Sequence, residues 1–527
     1  MKILDCTLRD GGYCNNWEFG FENIKRIVKG LVTSGIEIIE CGFLTDRTIH
    51  HDDITKFSTI EEIKDILPNR RGKSSFVCMI NYGEYDVKNL RGNDGTGVNG
   101  IRMAFHKDNI RGALKLSKII KDKGYQVFLQ PMVSLNYTDS EFLELIKNVN
   151  ELQPTAFYIV DSFGVMKLRD LTRLFYLIEH NLDISISIGF HSHNNMQLAY
   201  SNAQFLAETK SKHEILVDSS IYGMGRGAGN LNTELFVEFL NDNIGKNYSL
   251  QPLLNIIDEV LDSFHERNYW GYTLPNYLSA KHNAHPNYAE YLNSKKTLTI
   301  ENMDDIFQMM DQKHKVSYDC DYIETIYRKY MDSGVSNEVH YNELISNIKG
   351  KEVIVVAPGM TSKKQSSRIL KKLEEEGVVS VSVNHVYPYG ETNYIFVSNL
   401  RRFREIKEGF YHKCIVTTNI SSTDTYVRIP YADLVFSNMD AYVRDNAGLM
   451  CIRLMKKMGA SKIWIAGMDG YSGNKEGNYA DEKMDSFLKR AEMEGKNIGI
   501  SEVLSEMGKE VEIEFLTSQV NISIRSN

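Results

Sequence analysis

Residues 183–195 read DISISIGFHSHNN. Small and apolar residues run to Phe190, and two histidines then follow one residue apart, His191 and His193. In a β-strand, side chains at i and i+2 share a face, whereas a helix brings i and i+4 together. Both imidazoles therefore project the same way from the end of an apolar strand. Such a pair is either half of a metal site or two histidines hydrogen-bonded in a core, and the spacing alone leaves both readings open.

Seven similar runs occur in the first 245 residues: KILDCTL (2–8), IEIIECGF (36–43), SSFVCMI (74–80), VNGIRMAF (98–105), YQVFLQPMV (125–133), FYIVDSF (157–163) and ILVDSSIYG (215–223). Helical spacing fills most intervals, at 21–34, 109–123, 139–150, 168–180, 196–209 and 231–243. Strands rich in Val, Ile and Phe that alternate with helices predict a parallel sheet covered by helices. A doubly wound sheet gives a similar alternation, but eight strands in about 225 residues match a closed (β/α)8 barrel. The histidines then stand at the C-terminal end of the seventh strand, the end where barrel active sites lie.

Beyond the barrel the β-rich runs stop, and LLNIIDEVLDSF, YAEYLNSKK and MDDIFQMM carry helical spacing. A new α/β pattern begins at KEVIVVAPG (351–359) and continues through VSVSVNHV, YIFVSNL, CIVTTNI, LVFSN and KIWIAGMDG (462–470). The expected organisation is α/β: a TIM barrel over 1–245, a helical appendix over 246–347 and a Rossmann-like α/β domain over 348–527. A chain of 527 residues is too long for one ordinary core.

The composition is that of a soluble globular protein, 42% hydrophobic and 25% charged, with a net charge of −8. Acidic and basic residues are interspersed, which argues against a nucleic-acid binder. No apolar run approaches ~18 residues, and MKILDCTLRDGG reads as neither signal nor transit peptide, so a cytoplasmic protein without a membrane segment is expected. Seven cysteines without a CxxC pair fit buried, reduced thiols.

Chemistry gathers at the other strand ends. The first strand leads into Thr7-Leu8-Arg9-Asp10-Gly11-Gly12. Asp10 offers the hard oxygen that Mg2+ or Mn2+ prefers, and two imidazoles with water complete an octahedral site. Arg9 beside it suits a charge developing on a substrate oxygen, with Glu40 near the second strand end as its pairing or orienting partner. The glycines of Gly223-Met224-Gly225-Arg226-Gly227-Ala228-Gly229-Asn230 permit close backbone approach, but the stretch lacks the register of a dinucleotide loop.

Together, TLRDGG, the HxHN pair and GMGRGAGNLNTE closely resemble the DRE-TIM metallolyases, a group that includes HMG-CoA lyase, isopropylmalate synthase and 4-hydroxy-2-oxovalerate aldolase. Val160-Asp161-Ser162-Phe163-Gly164-Val165-Met166 is similar to a segment of the 4-hydroxy-2-oxo acid aldolases. The resemblance implies Asp10, His191, His193 and Asn230 as metal ligands, Arg9 as the group facing the enolate oxygen, and Ser162 against the keto acid together with Arg9 and His191. It implies Mn2+ or Mg2+ as cofactor, a 2-oxo acid and an aldehyde as substrates, and aldol cleavage or condensation through a metal-bound pyruvate-like enolate. Related barrels often dimerise, so a homodimer is expected.

One departure stands out. The aldolases carry a histidine, taken as general base, where this chain has Tyr13. A phenol with a pKa near 10 is a poor base at neutral pH, so Tyr13 is read as an acid or donor. His282 and His285 in AKHNAHPNYAEY, with Tyr288 nearby, are then the candidates for the proton acceptor, His285 foremost. The cysteine loop of the HMG-CoA lyases is absent. Two alternatives remain in the sequence: an acyl-CoA-dependent condensing enzyme like isopropylmalate synthase, and a metal-binding scaffold of weak activity. In the C-terminal domain, which faintly resembles sialyltransferase-like and pterin-pyrophosphokinase-like domains, VIVVAPGMTS reads as a strand entering a helix whose N-terminus suits a phosphate, making a nucleotide or sugar phosphate the expected ligand.

Overall fold

Eight parallel strands of the N-terminal half close on themselves. In the computed structural model all residues are described except 296–297, 333–337, 423, 437–442, 473–477, 482–483, 485–489 and 523–527. The chain forms two units, Met1–Tyr291 with Asp311–Tyr318, and Leu292–Met310 with Asp319–Asn527.

The first unit contains β1 (Lys2–Asp5), β2 (Ile38–Leu44), β3 (Lys56–Phe57), β4 (Ser75–Asn81), β5 (Gly100–Phe105), β6 (Gln126–Pro131), β7 (Ala156–Asp161), β8 (Ser187–Ser192) and β9 (Ile215–Ser219). The sheet order is β1-β9-β8-β7-β6-β5-β4-β2, and pairing of β1 with β2 closes the barrel. The two-residue β3 pairs in parallel beside the end of β2. The fold is therefore the expected (β/α)8 barrel, and β8 is its seventh barrel strand.

Strand parity divides the barrel interior into two levels. Leu4, Ile38, Val77, Phe128, Ala156, Tyr158 and Leu216 form one buried apolar cluster. Two residues further along the same strands come Glu40, Gln130 and Asp218, all buried. Because residues i and i+2 share a face, an apolar floor leads directly to a polar roof at the C-terminal strand ends. Gly189 occupies the floor position two residues before His191, and a Cβ there would meet the Tyr158 ring at 2.3 Å. The missing side chain is what makes room for that ring.

The helices Phe21–Ser34, Ile110–Asp122, Asp139–Leu152, Leu168–Asn181, Ala199–Glu208 and Thr233–Phe239 occupy the expected intervals. Several strands end earlier than their apolar runs. β1 stops at Asp5 because Arg9 and Asp10 both donate backbone N–H to the Cys6 carbonyl, folding TLRD into a turn. Past residue 250 the chain continues as helices, among them Gln251–Ile256, Leu274–Lys281, Pro286–Ser294, Cys320–Met331 and Glu338–Ile348, and the division between the units falls within this segment.

The second unit carries a seven-stranded parallel sheet: β10 (Glu352–Val356), β11 (Val379–Val383), β12 (Tyr394–Val397), β13 (Cys414–Thr417), β14 (Val427–Ile429), β15 (Lys462–Ala466) and β16 (Glu512–Phe515). The order β14-β13-β12-β11-β10-β15-β16 reverses direction between β10 and β15, as in a doubly wound fold. LVFSN is not a strand. Leu434–Phe436 leave a 3-10 turn at Tyr431–Asp433, the last two residues lie outside the described ones, and β14 takes the edge instead. Leu434 is buried by packing rather than pairing, while Val435 and Phe436 are half-buried, a difference that short apolar runs do not reveal. Among the described residues no helix is long and apolar enough to cross a membrane.

Gly189→Ala is expected to force the Tyr158 ring aside and to lower the unfolding free energy by about 1–3 kcal/mol, the usual cost of overpacking, measured by chemical denaturation. An unchanged midpoint would show that the ring yields freely.

Candidate metal centre and cavity

The polar roof is a continuous chain of alternating charges. Asp10 Oδ1 lies 2.5 Å from Nη1 of Arg9, whose Nε donates to Glu40 Oε2 at 2.9 Å. The same Glu40 oxygen accepts from Nη1 of Arg102 at 2.6 Å, and Arg102 Nη2 pairs with Asp218. Asp218 Oδ2 in turn lies 3.0 Å from Nδ1 of His191. All these groups are buried, with Arg102 and Glu40 at 0% exposure. Three carboxylates against two guanidiniums leave this chain with a net single negative charge.

That sign suits a cation, and the donor set agrees. Asp10, His191 and His193 are the group among the described residues whose ligand atoms converge, all within 4.8 Å of one another. Opposite ligands of an octahedral Mg2+ stand about 4 Å apart. Asn230 donates to Asp10 Oδ2 at 2.6 Å and to the Met224 carbonyl at 3.1 Å. His193 Nδ1 and Asn230 Oδ1 are buried without hydrogen-bond partners. Unpaired buried polar atoms are costly, and a cation would satisfy both, so the residues fit a divalent ion.

The protonation states point the same way. Burial alone would raise the Asp10 pKa, but Arg9 and then the two imidazoles hold it well below the usual carboxylate range. Burial likewise works against an ionised Asp218, and Arg102 and His191 reverse it. Burial pushes His193 down to about 3 despite Asp10, so its ring is neutral and ready to ligate. With Asp218 holding Nδ1 of His191, Nε2 is the nitrogen left for an ion.

The strand ends enclose a cavity of about 300 Å3. Arg9, Asp10, Tyr13, Ser162, His191, His193 and, from the segment beyond the barrel, His285 all line it. Ser162 Oγ accepts from the Val133 N–H at 2.9 Å. Tyr13 is 38% exposed, yet the protein around its hydroxyl raises its pKa above the usual 10, with Arg226 opposing. Arg226 Nη1 lies 3.2 Å from His285 Nε2. An arginine only donates, so Nε2 accepts and the His285 proton sits on Nδ1. The 3.3 Å approach of the Asn287 N–H to Nδ1 is then a contact rather than a hydrogen bond. Burial, and Arg226 after it, hold His285 neutral, well below the ordinary histidine range.

Residues 1–260 match the HMGL-like family profile. A 4-hydroxy-2-oxovalerate aldolase from Geobacillus genomosp. 3 is 26% identical over 248 residues, 46% of this chain and 70% of its own length. An oxaloacetate decarboxylase from Mycobacterium tuberculosis is 24% identical over 245 residues, 45% of this chain and 69% of the relative. The N-terminal domain of a Bacteroides vulgatus protein provisionally described as an aldolase is 28% identical, covering 56% of this chain and 97% of that domain with a TM-score of 0.48. Residues 1–260 thus form an HMGL-like domain.

As an HMGL-like domain it is a metal-dependent lyase. Of the residues expected from sequence, Glu40 and Asn230 stand behind the cavity wall, touching Arg9 and Asp10. His282 and Tyr288 do not line the cavity. His282 ends the helix Leu274–Lys281, and the buried Tyr288 hydroxyl lies 2.8 Å from the carbonyls of both His314 and Ser317. Arg102, Asp218, Gln130, His106 and Arg226 are cavity or relay residues that sequence reasoning missed. The first two had a signal, a charged residue inside an apolar strand, which requires a buried partner. In the second unit, at the helix N-terminus that follows VIVVAPG, the Thr361 N–H is taken by Asp469 Oδ2 at 2.7 Å.

Asp218→Asn is expected to raise the Kd for Mn2+ by about 10–100-fold, because it loosens the orientation of His191. Isothermal titration calorimetry reads this directly, and an unchanged Kd would show that Asp218 is irrelevant to ion binding.

Proposed function

We propose that the HMGL-like domain cleaves a 4-hydroxy-2-oxo acid to pyruvate and an aldehyde, or runs the reverse condensation, with Asp10, His191, His193 and Asn230 holding Mn2+ or Mg2+. The observation that carries this reading is the convergence of Asp10, His191 and His193 beside Arg9 and Ser162 in one cavity. A bound divalent ion supplies Lewis-acid polarisation of the 2-oxo group. Arg9 stabilises the negative charge that grows on that oxygen, and its own charge is held in place by Asp10 and Glu40. Ser162 contacts the keto acid.

In the cleavage direction a base removes the 4-hydroxyl proton, the C3–C4 bond breaks, the aldehyde departs and the electron pair remains on the pyruvate enolate. A proton delivered to C3 completes pyruvate. His285 takes the proton at Nε2, since it is neutral and faces the cavity. Tyr13, whose raised pKa keeps its hydroxyl protonated, donates to the oxygen at C4. The oxaloacetate decarboxylase relative supports a second reading, because decarboxylation passes through the same enolate but has no 4-hydroxyl proton to remove. For the second unit we propose a nucleotide or sugar phosphate at the carboxyl ends of β10 and β15, with sugar hydroxyls rather than phosphate against Asp469.

With Mn2+ or Mg2+ present, deuterium from solvent is expected to enter the pyruvate methyl group, and His191→Ala is expected to abolish both exchange and ion binding. No exchange under any divalent metal rejects the reading. His285→Gln is expected to slow aldol cleavage by about 10^2–10^4-fold while leaving oxaloacetate decarboxylation largely intact. A base works only above its pKa, so at saturating metal the acid limb of cleavage lies below pH 6.5. A limb at or above pH 7 points to a different base, and decarboxylation without any aldol cleavage selects the second reading.

A further inference from the structure

The cavity wall contains one cation that, among the described residues, no carboxylate contacts, although Arg226 lies close enough to help lower the Asp10 pKa. Arg9 is matched by Asp10 and Glu40. Glu84, the other carboxylate on the wall, is engaged by Arg47 at 3.0 Å and Asn81 at 3.1 Å. Arg226 has no carboxylate within 4.0 Å among the described residues. Its neighbours are the neutral His285 at 3.2 Å and the Tyr13 ring, 5.1 Å below the guanidinium, while its Nε is buried without a partner. The positive charge is felt around it, since Arg226 helps to lower the pKa values of His193, His285 and His106.

The position of Arg226 is built rather than accidental. Its carbonyl accepts the Gly229 N–H at 3.1 Å, and Asn195 Oδ1 accepts the Ala228 N–H at 2.8 Å, which fixes the loop to the end of β8. Gly227, next in sequence, has φ +68° and sits where a Cβ would come 2.7 Å from that Asn195 oxygen. A guanidinium held still and lacking a counter-charge is an anion site.

Arg226 touches both Tyr13 and His285, the two side chains that act at C4 in the proposed reaction, and so stands on the aldehyde's side of the cavity. Arg9 serves the keto acid's side. At roughly 30 Å3 per water-sized group, the six non-hydrogen atoms of pyruvate need about 180 Å3, so a cavity of about 300 Å3 leaves room for a further polar group.

We infer that Arg226 is an anion subsite, and that the aldehyde partner carries a carboxylate or a phosphate. The inference rests on the aldolase reading and goes beyond it by naming the substrate class. An anion bound there takes the N–H that Arg226 now gives to His285, freeing Nε2 to accept the 4-hydroxyl proton. An anionic aldehyde therefore completes the base.

The test pairs charged with neutral aldehydes on the full-length, Mn2+-loaded protein: succinic semialdehyde against butanal, and glyceraldehyde 3-phosphate against glyceraldehyde. Condensation with pyruvate is expected to favour one or both anions by about 10–100-fold in kcat/KM, the worth of a charge-assisted hydrogen bond. The pair showing the larger ratio separates carboxylate from phosphate. Arg226→Gln is expected to bring that ratio close to one, and Arg226→Lys to retain part of it. Pyruvate methyl exchange, which needs no aldehyde, reports separately on the aldolase reading. Exchange without anion preference overturns the subsite alone, and absence of exchange overturns the aldolase reading itself. A ratio unchanged in Arg226→Gln, or an effect confined to the KM of pyruvate, also overturns the subsite.

Discussion

Five charges that alternate in sign cross the upper interior of the barrel, from Asp10 through Arg9, Glu40 and Arg102 to Asp218. They arise from the end of β1 and from β2, β5 and β9, and through His191 they reach β8. Desolvation makes such a chain expensive, and an apolar replacement of the same volume is often as stable or more so. Its value lies in direction. Each guanidinium is gripped by two carboxylates, so Arg9 cannot rotate away from Asp10, and the ring of His191 presents one particular nitrogen. The proposed metal ligands and the arginine proposed to face the reacting oxygen are thus positioned by the interior of the fold.

The same strands that build the relay also build its floor. Ile38 precedes Glu40, Phe128 precedes Gln130, Leu216 precedes Asp218 and Gly189 precedes His191, each by two residues. An apolar level and a polar level therefore share one β period and need no separate scaffold. The levels meet at Tyr158, whose ring lies 5.0 Å from the Arg102 guanidinium and fills the space that Gly189 leaves. A buried arginine over an aromatic face gains a cation–π contact that partly replaces lost water. The glycine in GFHSH thus belongs to the site as much as the histidines do, although it touches no ligand.

Much of this was legible from residue order. Strand spacing predicted that His191 and His193 share a face, the strand count predicted the barrel, and TLRDGG placed Arg9 and Asp10 at the active end. The relay was harder to read, because partner identity across the barrel depends on register between strands far apart in sequence. Arg102 and Asp218 are 116 residues apart. Yet Arg102 in GIRMAF and Asp218 in ILVDS are charges within apolar strands, and neither could be buried alone. LVFSN failed for the opposite reason: apolar content marks burial, not pairing. The choice of His285 over His282 depended on where a short turn ends, which spacing does not reveal. Arg226 stands among glycines whose pattern speaks for the backbone, and nothing in its spacing marks its side chain.

The two sides of the cavity have different origins, and this bears on how selectivity arises. Arg9, Asp10, Ser162, His191 and His193 come from barrel strand ends whose positions the relay and the floor dictate. Arg226 comes from a glycine-rich loop, and His285 and Ser317 come from beyond the barrel. A change at Arg9, Asp10 or His191 disturbs a buried charge chain, whereas a change among the second group alters what lines the opposite wall. In the proposed reaction the first group handles the pyruvate half, which every 4-hydroxy-2-oxo acid shares, and the second meets the aldehyde, which differs between them. Tyr13 belongs to the opening turn yet leans on Arg226, so its role follows the second group. Tyr13 is then coherent with its arginine: a phenol that remains protonated can lie under a guanidinium and still donate, which leaves proton abstraction to another side chain.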